Sequence, residues 1–194
     1  MDYHPMGQRR TNGRQGAVKA IGRFRGLFKF TAHETGGAIA VEFALLALPF
    51  FLLTFAVLET ASVFIGELTL ENAVARVGRT VRTGEVAGAQ LSSDDLRKRV
   101  CQAVPLRINC QKLSVDLRSY SRFSDIPTVI PMKDDALDVG SFTYEWGTPG
   151  QIMALRVFYE WPVHTDLMRT YLSNVPDGNH MLVAVDVFKT EPFQ

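Results

Sequence analysis

Polar and apolar positions follow three different rhythms along the chain. From Ala38 to Ile65 the residues are almost all apolar, and between Phe43 and Leu58 only Pro49 and Thr54 break the run. A bilayer core about 30 Å thick needs about 20 helical residues, so this stretch is long enough to span one with tilt. The rest of the chain is too small to cover such a helix on every side, which favours a membrane span over a buried core helix. Beyond it, Leu70, Ala73, Val74, Val77 and Val81 recur at spacings of three and four, with Arg76, Arg79 and Arg82 elsewhere on the wheel. The helix therefore continues as an amphipathic helix to about Thr83, with Gly84 as its stop.

Shorter elements follow. Ser92, Ser93, Asp94 and Asp95 cap a helix running to Cys101 or Ala103, ended by Pro105. Three segments alternate with period two and read as strands: Leu113 to Leu117, Met153 to Trp161, and Met181 to Val187, the last with Asp186 between its valines. The long connection between the first two contains Pro127, Pro131 and the acidic pair Asp134–Asp135. Its length calls for a further strand or an insert, with residues 142–146 as the candidate. Residues 165–172 suit one or two helical turns. The expected fold is α+β: a long N-terminal transmembrane helix followed by a small, mostly antiparallel sheet.

Charge gives the apolar segment a direction. Among the 194 residues the net charge is +1, but the first 35 carry seven basic side chains against Asp2 and Glu34, leaving the remainder at −4. Cytoplasmic flanks are the ones enriched in Lys and Arg, so the N-terminus is expected inside and the chain after residue 66 exported. The apolar run is too long for an ordinary cleaved signal peptide, and no small-x-small site follows it. Within the leader, Val18, Ile21, Phe24 and Phe28 fall at helical spacing, compatible either with a basic helix on the inner leaflet or with a solvated leader. The expected organisation is a basic leader 1–37, a span 38–65 and an exported domain 66–194. Cys101 and Cys110, the two cysteines, suit a disulfide in an oxidising compartment. Closing so short a loop contributes roughly 2–3 kcal/mol.

Two acids interrupt the apolar pattern. Glu59, near its outer end, is expected at headgroup depth. Glu42 comes five positions into the run, where a charge costs about 2.5–3.5 kcal/mol unless it reaches the inner headgroup boundary. The string from Gly37 through Ala38 and Glu42 to Phe43 resembles the processing site of type IV pilins and pseudopilins. In that family a prepilin peptidase cuts after the glycine, and glutamate is the fifth residue of the mature chain; Ala38 and Glu42 fit that register. The continuation to Phe50, the run from Glu71 to Arg76 and the stretch from Asp186 to Phe193 are similar to TadE-like minor pseudopilins of Tad (tight adherence) pilus systems. The resemblance implies a pilin-like fold and a structural role in pilus initiation, capping or platform coupling. The partners it implies are other pilins or pseudopilins, the assembly platform, a prepilin peptidase and the bacterial inner membrane.

No catalytic constellation competes with this reading. His4, His33, His164 and His180 are scattered, and phosphate loops, nucleophile elbows and zinc-binding helices are missing from the sequence. No enzyme activity, cofactor, metal, nucleic acid or small-molecule substrate is expected. Asp134, Asp135 and Asp138 lack the spacing of a calcium loop and read as a solvated acidic loop. The alternative function is a tethered periplasmic binding or adaptor protein whose helix is an uncut anchor.

Overall fold

The computed structural model describes residues 35–85 and 92–192. The basic leader, and with it the candidate helix around Val18 to Phe28, lies outside the described residues.

Helix α1 runs 48 residues from Thr35 to Arg82 without a break. Its polar side chains satisfy themselves locally: the hydroxyls of Thr54, Thr60 and Thr69 donate to the carbonyls of Phe50, Ala56 and Ile65, each at 2.8 Å. Such back-bonding lets hydroxyls sit on an apolar helix with no other partner. Past Arg82 the Thr83 amide still reaches the Arg79 carbonyl, and Gly84 takes the left-handed conformation at φ 72° that ends the helix. Residues 37–58 are exposed or half-exposed along their whole length, whereas a buried stripe begins at Glu59 and continues through Val63, Gly66, Leu70, Ala73, Val74, Val77 and Val81. Among the described residues the chain divides between Thr54 and Phe55 into two compact units.

In the second unit the stripe packs on a three-stranded antiparallel sheet. Helix α2, Ser93–Ala103, is capped by a reciprocal box between Ser92 and Asp95 and buries Leu96, Val100 and Cys101. Strands β1 (Leu113–Tyr120), β4 (Ile152–Trp161) and β5 (His180–Lys189) are ordered β1-β4-β5. Two small strands, β2 (Met132–Lys133) and β3 (Ala136–Leu137), form a separate hairpin, and α3 (Asp166–Leu172) lies between β4 and β5. One face of the sheet, with Leu113, Leu117, Met153, Leu155, Val157, Tyr159, Leu182, Ala184 and Phe188, meets the α1 stripe and α2 to form the main core. Small residues set the approach. A Cβ on Gly66 would stand 2.9 Å from the Trp161 ring.

The valines of β5 mark the strand but not its principal face. Leu182, Ala184 and Phe188 point into the main core, while Val185 and Val187 stay 48% and 37% exposed on the other side. That second face is covered at Phe158, Met181 and Val175 by Phe142 and by Leu137 of the hairpin. Phe142 stacks on Phe158 at 5.2 Å. The candidate stretch around Tyr144 supplies only one bridge, parallel to Leu117. Asp134 and Asp135 hold φ of 50° and 62° and form the two-residue turn of the β2–β3 hairpin, a backbone role for the acidic pair.

Candidate functional site: the exposed start of helix α1

Ala38 and Glu42 are four residues apart in α1, so they share one helix face. Both are exposed, as is Phe43 at 70%. Gly37 lies in the first turn, whose amides have no intrahelical acceptors. Gly36 and Gly37 weaken that turn further, since each glycine costs about 1 kcal/mol of helix propensity. The bond after Gly37 therefore sits in a turn held only weakly as helix. The downstream turns are a different environment. Pro49 lies inside the helix and leaves the Leu45 carbonyl without its usual amide donor. From Gly37 onward α1 is long and apolar enough to cross a membrane.

The disulfide expected from the sequence lies elsewhere in the chain. Cys101 and Cys110 are joined in a disulfide with Cα atoms 5.7 Å apart, tying the end of α2 to the turn that starts β1. It is a brace of the second unit, remote in sequence from Glu42.

Glu59 has a role beyond an interfacial one. It is buried, and its carboxylate accepts from the backbone amides of His164 and Thr165 and from the Thr165 hydroxyl. The reason is local: Val163 leaves β4 and turns toward α3, and the amides exposed by that turn need an acceptor, which the helix supplies. Sequence spacing showed the acid but nothing of its donors, 105 and 106 residues away.

Two more arrangements escaped sequence reasoning. Asp116 is fully buried on the far sheet face. Arg156 donates to it from Nε at 3.0 Å and Nη2 at 2.6 Å, and the Thr143 amide donates at 2.8 Å. This closed network staples the 121–150 loop to the sheet and leaves no charge free for chemistry. Glu145 accepts from the Ser119 amide and hydroxyl, which hold its carboxyl below the usual range. The second arrangement is Asp186, which faces the helix across Gly78; a Cβ there would stand 1.9 Å from Asp186 Oδ2. Burial pushes its carboxyl up, with Arg82 opposing the shift. Among the described residues, no group of three or more His, Cys, Asp or Glu side chains could hold a metal ion.

Residues 37–79 match the family model described as TadE-like protein. The matched segment opens at Gly37 and runs through the exposed helix into the packed stripe. No curated protein and no solved structure matches the chain. The chain thus carries a TadE-like helical segment, a likeness to a family related to Tad pili.

Proposed function

We propose that this is a structural minor pseudopilin of a Tad-type pilus, held by α1 in the bacterial inner membrane with its second unit exported. The observation that carries the reading is where the TadE-like match begins. It opens at the glycine after which a prepilin peptidase would cut, five residues before Glu42 in the exposed apolar part of the helix.

The span in this reading is Ala38 to Leu58. Those 21 residues cover about 31 Å, close to the hydrocarbon thickness of about 30 Å. The engagement of the Glu59 carboxylate by His164 and Thr165 supports this shorter limit. Cutting after Gly37 would release an α-amine on Ala38 with a reference pKa of about 8, hence positive near neutral pH. Ala38 and Glu42 share a face, so when helices stack side by side the carboxylate of one chain meets the amine of the next. Pairing offsets two desolvation costs at once, and a slipped register leaves a charge alone among apolar side chains. The pair thus selects register more than it adds stability. Seven basic residues before the span against Arg76, Arg79 and Arg82 after it orient the N-terminus inward.

The test joins processing to assembly. The mature protein should begin at Ala38, and Gly37→Ala should leave the leader attached. Glu42→Gln should insert in the membrane at the normal level yet fail to co-purify with other pilus subunits. An unprocessed wild-type chain together with normal co-purification of Glu42→Gln would leave the helix as an anchor for an adaptor domain.

A further inference from the structure

The two outer strands of the sheet are treated differently. At β1 the Leu117 amide and carbonyl turn outward and are taken by the Thr143 carbonyl and the Glu145 amide at 3.0 and 2.9 Å, and the Ser119 amide is taken by the Glu145 side chain. Since Leu117 faces outward, its partner Leu155 bonds toward β5. The residues of β5 that bond inward are therefore Leu182, Ala184, Asp186 and Phe188. Met181, Val183, Val185 and Val187 present their backbone groups to the open edge. Asn174 caps Met181, accepting its amide at 2.6 Å and donating to its carbonyl at 3.1 Å. Among the described residues Val183, Val185 and Val187 have no such cover, so three amides and three carbonyls stand in a row. An apolar, β-branched edge of this kind is a template for another strand.

The surroundings specify what would fit. On one side of this edge Val185 and Val187 are exposed. On the other, the helix stripe Ala75, Arg79 and Arg82 and the Asp186–Phe188 segment enclose a hollow of about 320 Å³. Arg82 pairs with Glu191 at 3.2 Å, whereas Arg79 is exposed and its guanidinium makes no ion pair among the described residues. An added strand would alternate its side chains between the valines and the arginines.

Antiparallel pairing with a second copy of the chain, or pairing to its β1, does not suit the edge. Residues 66 to 82 of α1 advance in the same sense as β5, from Gly66 beside Leu182 to Gly78 beside Asp186 and Arg82 beside Glu191. Pairing β5 with β5 of another copy antiparallel about a two-fold axis normal to the sheet would reverse one helix. Two spans with the same membrane orientation forbid this, a step that rests on the membrane reading above. Parallel pairing to β1 of another copy meets rungs already taken at Leu117 and Ser119.

We propose that the β5 edge at Val183–Val187 is a strand-addition site for an extended segment of a different protein, with side chains alternating between β-branched apolar and acidic. Main-chain bonds to Val183, Val185 and Val187 supply the attachment, and Arg79, whose guanidinium makes no ion pair among the described residues, selects the acidic side.

The probe is a seven-residue peptide alternating valine and glutamate, titrated into the isotopically labelled full chain in detergent micelles. The expected result is a shift of the Val183, Val185 and Val187 amide signals, with affinity about ten-fold above that of the same peptide carrying lysine for glutamate. Arg79→Glu should reverse that preference. Val185→Pro, which deletes the central amide, and Val187→Lys, which keeps the backbone intact, should each abolish the shifts. Equal affinity for the two peptides, shifts confined to other strands, or indifference to Val187→Lys would overturn the proposal. So would a wild-type dimer that Val187→Lys dissociates, because the edge would then serve a second copy. None of these outcomes bears on Glu42, which the peptide does not touch.

Discussion

Glu59 shows how far one side chain can depart from what its position suggests. An acid at the end of an apolar run looks like an interfacial residue, yet it accepts three hydrogen bonds from the turn after β4. Glu59→Ala removes the charged acceptor of the His164 and Thr165 amides and the Thr165 hydroxyl, which costs about 1–3 kcal/mol. A loss of stability of that size should appear as a lowered melting temperature of the full chain in micelles, while Thr165→Ala should lower it less. Asp186 carries a second residue-scale prediction. Burial raises its folded pKa, so the contribution it makes is complete below the ordinary carboxylate range and is lost as pH rises through the raised value. Glu145 works in the opposite sense: its folded pKa is lowered, and its contribution is present at neutral pH and lost on acidification. Asp186→Asn removes only the first effect. The variant should therefore gain on the wild type between pH 3 and pH 7 in paired thermal melts; a difference that shrinks over that interval would contradict the burial argument.

At the scale of elements, the periodicities carried most of the information. The period-two runs at Leu113, Met153 and Met181 became β1, β4 and β5, and the capped helix after Ser92 appears with its box intact. Those signals are local, and local sequence sets them. Long-range pairing is not local, which is why the face of β5 that enters the core, the Asp116–Arg156 pair 40 residues apart and the donors to Glu59 were illegible. The start of α1 was the most legible part of the candidate site, because a glycine pair, an apolar run and one carboxylate are all visible within seven positions; no partner appears in one chain to complete it. The hairpin turn was half legible: Asp134–Asp135 showed as an acidic loop, but only the backbone gives the reason. Aspartate tolerates the left-handed region at some cost, and glycine pays none. Asp135→Gly should raise stability by up to about 1 kcal/mol, read as a higher denaturation midpoint with unchanged slope.

For the molecule as a whole, the division of α1 is the consequential feature. Its exposed part, 37–58, touches none of the main core, and its packed part supplies that core with a stripe from Val63 to Val81. Stability of the second unit should therefore be independent of the identity of the span. Replacing residues 38–58 with an unrelated apolar helix of equal length should leave the thermal midpoint of the second unit within about 2 °C of the original, since no buried contact changes. In the proposed pilus role, assembly depends on the opposite half. An unrelated span lacks Glu42 and the surface around it, so a chain that folds and inserts normally should still be missing from purified pilus complexes. Restoring the single glutamate at the fifth position of the replacement, with Gly37 and Ala38 kept, separates two physical roles. If charge pairing sets register, the restored carboxylate recovers a measurable part of incorporation even on a foreign helix. If side-chain packing along the whole span sets it, incorporation stays at the level of the glutamate-free swap, and the carboxylate would then have to be reassigned as a mark read by the processing peptidase.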